Sequence, residues 1–262
     1  MAGVGIDGAR LLITGGGSGL GRQLALQAAV RGARVEVWDL DAEAARATAE
    51  ITGGSHRRVD VSDSTAVAAA AEAAGPVDVL INCAGVVTGK PLLETSEAAI
   101  RRTFEVNTLA LYWTTRAFLP GMRERDHGTV VTIASAAGLV GVARQTDYSA
   151  SKWAAIGFTE ALRAELRAAG SAVGTLVVAP YYIDTGMFAG VRTRVPLLLP
   201  ILKEARVAGQ ILDAVASGRR QLVLPPLART VPVMRALPVR AFDLMVDLFG
   251  INQTMDHFVG RR

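Results

Sequence analysis

Cysteine, lysine and aromatic residues are scarce in this chain of 262 residues. Cys83 is its single cysteine, so no internal disulfide can form, and a reducing cytoplasm is the simplest compartment. No run of 18 apolar residues occurs, which argues against a spanning helix. Residues 1–10 lack both a basic start and an apolar core, so they do not read as a signal peptide. No repeat or low-complexity block is present, and no metal site is assigned. Lysine appears three times, at Lys90, Lys152 and Lys203, against 25 arginines.

Half of the residues are hydrophobic, which suits a sizeable core and argues against disorder. The net charge of +4 lies at the end of the chain: residues 219–262 hold seven Arg and three Asp, and the remainder is balanced. Such a basic tail points either to a partner surface, anionic lipid more than nucleic acid, or to a solvated face.

Short apolar runs alternate with alanine-rich stretches. The runs predict strands at Leu11–Thr14, Val35–Trp38, Arg58–Val61, Val77–Asn82, Thr129–Ala134, Thr175–Ala179 and Gln221–Leu224. Between them the pattern predicts helices at Leu20–Arg31, Ala42–Ile51, Ser64–Ala74, Ser96–Met122, Tyr148–Ala169 and Lys203–Ser217. That alternation indicates a single α/β domain: a doubly wound parallel sheet of about seven strands, Rossmann-type, flanked by helices. Its ligand is expected at the carboxyl ends of the strands. Pro225, Pro226, Pro232 and Pro238 forbid a long helix in the tail, residues 225–262. Phe242, Met245, Val246 and Phe249 share one face of a short helix there, suited to the core, a partner subunit or a membrane surface.

The segment from Thr14 to Gly21 joins the first strand to the first helix. Gly15, Gly17, Gly19 and Gly21, with Ser18 and Leu20, make a loop whose amides can approach a pyrophosphate at a helix N-terminus. Asp39 ends the second strand, where a carboxylate accepts bonds from ribose hydroxyls and repels a 2′-phosphate, favouring NAD over NADP. Its alternative is to cap the next helix, a role open equally to Asp41. Asp60 is placed to touch the adenine or to cap a helix. Asn82, Ala84 and Gly85 close the fourth strand as part of the cofactor wall, and Cys83 shows no catalytic partner.

Tyr148 and Lys152 are four residues apart on one helix, so phenol and ammonium sit side by side. A neighbouring cation is expected to lower the phenol's pKa toward the neutral range. Lysine in an arginine-rich chain is informative, because a compact ammonium bridges a ribose hydroxyl and a phenol better than a planar guanidinium. Ser135 ends the fifth strand, where its hydroxyl can hold a substrate oxygen. Asn107 lies inside a predicted helix, where asparagine is poor; a kink with a bound water or a contact to backbone accounts for it.

Together these residues resemble the short-chain dehydrogenase/reductase family over about residues 8–190. The carrying motifs are Thr-Gly-x-x-x-Gly-x-Gly, Asn-x-Ala-Gly, the Asn/Ser/Tyr/Lys set and Pro-x-x-Ile-x-Thr. The resemblance implies a nicotinamide cofactor, with Tyr148 as general acid/base and Lys152 orienting the nicotinamide ribose. It implies that Ser135 steadies the substrate oxygen and that Asn107 supports a water-linked proton relay. Thr185 would meet the carboxamide and Ile183 the nicotinamide ring, with Val61 and Pro180 also against the cofactor. Assembly as a homodimer or homotetramer is a further implication.

Several segments, including Trp38-Asp39, residues 82–89, residues 112–120 and residues 184–188, look like the retinol dehydrogenase and 17β-hydroxysteroid dehydrogenase branch. That branch implies a bulky lipophilic alcohol or carbonyl as substrate, often at a membrane. The hydrophobic N-terminal anchor usual there is not seen, so a cytoplasmic protein, at most peripheral to a membrane, is expected. Tyr181 replaces the common glycine after Pro180. Residues 185–203 read as a substrate lid, with Met187, Phe188, Val191, Val195, Leu197, Leu198 and Leu199; Leu139, Val140 and Val142 flank Ser135. Alternatives are a dinucleotide-binding regulatory or membrane-peripheral protein, or a dehydrogenase of small secondary alcohols.

Overall fold

The computed structural model describes residues 3–260. Seven strands form one sheet: β1 (Arg10–Thr14), β2 (Arg34–Asp39), β3 (Ser55–Arg58), β4 (Val79–Asn82), β5 (Thr129–Ile133), β6 (Gly174–Pro180) and β7 (Gln221–Leu224). Their order is β3-β2-β1-β4-β5-β6-β7, and every neighbouring pair is parallel. From β1 the chain winds outward to β3, then returns to β4 and winds the other way. The connections therefore diverge at the carboxyl ends of β1 and β4, which opens a crevice there.

The helices are α1 (Gly19–Val30), α2 (Ala42–Thr52), α3 (Ser64–Ala74), α4 (Glu97–Phe104), α5 (Ala110–Glu124), α6 (Thr146–Ala168), α7 (Glu204–Ala216), α8 (Val231–Met234) and α9 (Val239–Leu248). Side chains alternate across the sheet, and the core divides accordingly. Leu11 and Ile13 pack with Leu24 of α1 and Ile211 of α7. Leu12, between them, packs on the opposite face with Val67 of α3, Met122 of α5 and Leu162 of α6. Trp38 is fully buried; its indole N–H donates to Glu36 at 2.9 Å, and its ring meets Phe118 at 5.7 Å.

Two expectations are corrected. The third strand is Ser55–Arg58, not Arg58–Val61. It lies at the sheet edge, where a polar strand suffices, with Arg58 in register with Asp39. Val59 and Val61 are buried beyond its end, in the loop that lines the crevice. The helix expected over Ser96–Met122 is two helices separated by a π-helical turn at Glu105–Leu109. A π-helical turn inside a helix often marks a functional site. Of the surfaces open to the tail helix, the structure shows the body of the domain: α8 and α9 fold back across the carboxyl end of the sheet, with Phe242, Met245 and Val246 turned inward.

No helix among the described residues is long and apolar enough to cross a membrane. Leu24 is fully buried where α1 meets the sheet. Leu24→Ala should therefore cost about 2–5 kcal/mol of stability, read from urea unfolding; a loss well below that range would show that this layer repacks freely.

Candidate active site

A cavity of about 330 Å³ occupies the crevice. Its nucleotide side is built from the loop after β1. A Cβ at Gly15 would lie 2.8 Å from the Ala84 backbone, and one at Gly17 would lie 2.9 Å from an Asp39 oxygen. At Gly21 a Cβ would collide with the Gly15 carbonyl. Glycine is needed at these positions to bring α1, β4 and the loop this close. The first turn of α1 carries no acidic residue, so its partial positive charge stays available to an anion. This cradle fits a nucleotide pyrophosphate.

Asp39 is not a helix cap. Its carboxylate accepts from the Gly17 amide at 2.9 Å and the Asp41 amide at 3.1 Å, while Asp41 caps α2. Asp39 thus stiffens the loop and still faces the cavity. Asp60 likewise leaves the capping of α3 to Asp63. Partial burial opposes its charge, but bonds from Ser62 and Arg102 outweigh this and hold its pKa below the usual carboxylate value.

Ser18, Gly19, Leu20, Val61, Ala84, Gly85, Pro180, Ile183 and Thr185 line the cavity, as do Ser135, Tyr148 and Lys152. Gly17, Asn82 and Asn107 do not; each supports a lining segment from behind. Asn82 accepts from Thr114 at 2.7 Å. Asn107 explains the π turn. Its Oδ1 accepts from the Val86 amide at 2.9 Å, and its Nδ2 donates to the Val86 carbonyl at 2.9 Å and to Ser151 Oγ at 3.0 Å. The awkward asparagine of the sequence is therefore a contact to backbone.

Tyr148, Ser135 and Lys152 meet in the middle of the cavity. Burial raises the Tyr148 phenol to about 12, against a smaller pull downward from the Ser135 hydroxyl beside it. The expectation that the lysine lowers the phenol is not met here. The Lys152 ammonium lies 5.6 Å from the ring centroid and donates to the Ile133 carbonyl at 2.9 Å. Burial lowers Lys152 to about 8. Burial also drives the Cys83 thiol to about 12, an unreactive protonated state.

The apolar side was only half legible in the sequence. Tyr181, Val140, Val142, Met187, Phe188 and Leu199 line it. Leu139 packs elsewhere, against Ala179 and Val223, and Leu197 and Leu198 are exposed. The missing wall comes from the tail: Leu227, Val231, Met234, Phe242, Met245 and Phe249. Its signal was the one-sided apolar pattern after the prolines, which marks burial without saying against what. Asp147 also escaped notice. It is buried beside Tyr148 and accepts from Thr88 at 2.9 Å and Thr103 at 2.8 Å, which ties α6 to α4 and to the loop after β4. The basic tail is less free than its charge implies. Arg229 reaches the Val223 carbonyl and Arg235 the Leu139 carbonyl, while Arg261 and Arg262 lie outside the described residues.

A sequence model of the short chain dehydrogenase family matches residues 9–196. The chain is 37% identical over 268 residues to the bovine short-chain dehydrogenase/reductase family 16C member 6, covering 98% of this chain and 85% of that one. It is 38% identical to human epidermal retinol dehydrogenase 2, covering 98% and 87% respectively. Among solved structures it is similar to a short-chain dehydrogenase/reductase from Burkholderia phymatum in complex with NAD, at a TM-score of 0.80 and 29% identity, covering 93% of this chain and 96% of that one.

The Lys152 environment makes a pH prediction. The folded side chain releases its proton near 8, against an ordinary 10.5. Between those values the unfolded chain binds more protons, so the stability contributed at this position rises with pH. In denaturant unfolding across that window, the unsubstituted protein should gain stability relative to Lys152→Met as pH increases. A flat difference would mean that the folded lysine keeps its charge.

Proposed function

The chain belongs to the short chain dehydrogenase family, and from that premise we propose that it interconverts a bulky apolar alcohol and its carbonyl, with NAD(H) as hydride partner. One observation carries this reading: a single cavity has a pyrophosphate cradle on one side, an apolar wall on the other, and Ser135, Tyr148 and Lys152 between them.

The nicotinamide dinucleotide, when bound, supplies the hydride acceptor or donor. Gly15, Gly19 and Gly21 would hold its pyrophosphate and Asp39 its adenosine ribose; Ile183 and Thr185 would flank the nicotinamide. Tyr148 holds a proton at its phenol oxygen and exchanges it with the substrate oxygen. Burial keeps the phenol protonated, the state from which it can donate to a carbonyl oxygen, but it also makes the phenol a weaker acid; in either direction positive charge nearby must bring it back toward the neutral range. Lys152 is the cation within reach, once its ammonium turns from the Ile133 carbonyl. Ser135 takes a second hydrogen bond to the substrate oxygen and fixes its distance from Tyr148. Cofactor and substrate filling the cavity would displace water from it, which strengthens each of these polar interactions.

The walls also set the substrate class. Phe188, Tyr181, Val142, Val231, Phe242 and Phe249 offer surface for ring systems or long chains and few polar partners beyond the catalytic hydroxyls. Relatives bearing the name retinol dehydrogenase support the same class. The carboxylate of Asp39 supports NAD over NADP, through ribose hydroxyls accepted and a 2′-phosphate repelled.

Tyr148→Phe should lower kcat for oxidation of an apolar alcohol by about 10²–10⁴-fold while leaving NADH affinity intact; equal turnover would refute the proton role. Asp39→Asn keeps an acceptor for the Gly17 amide but removes the charge. It should narrow the preference for NAD over NADP in kcat/KM by about tenfold or more, and an unaltered ratio would mean that the carboxylate does not set cofactor choice.

A further inference from the structure

Residues 231–248 form a strap across the apolar side of the cavity. Its two ends are fixed differently from its middle. On the near side, the Tyr181 amide donates to the Leu224 carbonyl at 2.7 Å. On the far side, Thr254 bonds the Tyr182 hydroxyl at 2.8 Å, Gln145 reaches Met255 at 2.9 Å, and the Val259 amide donates to Ala189 at 2.8 Å. Among the described residues, two hydrogen bonds tie the strap itself to the body: Arg194 to the Asp247 carbonyl at 3.4 Å and Arg235 to the Leu139 carbonyl at 3.2 Å.

Arg235 does more than make that bond. Its guanidinium lies 4.4 Å from the Trp153 ring centroid and 5.7 Å from that of Phe242. Trp153 is the residue after Lys152 on α6, and Leu139 belongs to the turn that follows Ser135. Phe242 is a wall of the cavity. A planar cation stacked on an indole while donating to a carbonyl is an orientation-specific contact that lysine reproduces poorly. One arginine therefore joins the helix of Tyr148 and Lys152, the Ser135 turn and the tail wall of the cavity.

We propose that Arg235 is a specificity-determining positioning residue, a clasp that holds the 231–248 strap on Trp153 and so sets the size of the apolar cavity. The proposal rests on the substrate side assigned above. Its action is indirect: Arg235 fixes Phe242 and its neighbours, and these meet the substrate. Release of the clasp enlarges and loosens the apolar side, so the penalty falls on substrates that fill it and spares those that do not. The nucleotide side is built from the loop after β1 and the ends of β2 and β4, shares no residue with the strap, and is unaffected.

The test compares Arg235→Ala, Trp153→Ala, Trp153→Phe and the double alanine variant with the unsubstituted protein, using an apolar steroid alcohol and a four-carbon secondary alcohol with NAD. Arg235→Ala should raise KM for the steroid alcohol about three- to tenfold, with kcat, NADH affinity and the small alcohol's kcat/KM nearly unchanged. Trp153→Ala should match it, the double variant should be no worse than either, and Trp153→Phe, which keeps a ring face, should stay close to the unsubstituted protein. Hydrogen exchange supplies a readout that needs no substrate: amides of residues 231–248 should exchange faster in Arg235→Ala, those of 251–260 unchanged. Unaltered exchange in the strap, additive losses in the double variant, or equal losses for both alcohols would overturn the clasp. If the unsubstituted protein oxidises neither alcohol, the substrate reading fails, and exchange still decides whether Arg235 holds the strap.

Discussion

The side-chain amide of Asn107 binds both main-chain groups of Val86, and the geometry of the site depends on that pairing. A buried amide needs partners for its donor and its acceptor, and leaving either unmet costs about 1–3 kcal/mol. Val86 supplies one of each, but only if the helix opens at Glu105–Leu109 to bring the side chain to the loop. The third bond, to Ser151, reaches α6, and Ser151 in turn donates to the Tyr148 carbonyl at 2.7 Å. The loop after β4, the break between α4 and α5, and the start of α6 are thereby held in one frame. Gly85 belongs to the same frame: a Cβ there would approach Asn107 Oδ1 to 3.3 Å and Lys152 Nζ to 3.6 Å.

Inside that frame, burial governs the chemistry. The same desolvation that raises the Tyr148 phenol lowers the Lys152 ammonium, so each group is displaced toward its neutral form. Asp147, buried next to Tyr148, is kept as a structural acceptor by two threonine hydroxyls and holds the start of α6 in place.

The parallel sheet was legible because its central strands are buried on both faces and read as apolar runs; Val79–Asn82 and Thr129–Ile133 leave no polar face to confuse the period. The edge strand Ser55–Arg58 was misplaced for the converse reason: its residues are polar, and the apolar pair that drew attention, Val59 and Val61, belongs to the loop. The glycine loop and the Tyr148–Lys152 spacing were readable as local patterns. Asn107 was readable as an anomaly whose partner, Val86, lies 21 positions away and could not be named from spacing. The phenol's direction of shift was not legible, since it depends on how deeply the tertiary fold buries the pair. The tail's role was hidden similarly. A helix with Phe242, Met245, Val246 and Phe249 on one side announces burial, but only the fold shows that it closes the cavity.

The two walls of the cavity therefore differ in origin. The nucleotide wall comes from the glycine loop and strand ends within the matched residues 9–196, and about half of the apolar wall from residues after β7, beyond them. Tyr148 lies between the two walls, beside the polar frame set by Asn107. The most direct measurement is label transfer from an apolar secondary alcohol deuterated at its carbinol carbon, incubated with NAD and the protein. The account predicts deuterium in the reduced nicotinamide, with a primary isotope effect on the transfer step; label released to water, or no reduced cofactor formed from any such alcohol, would contradict it.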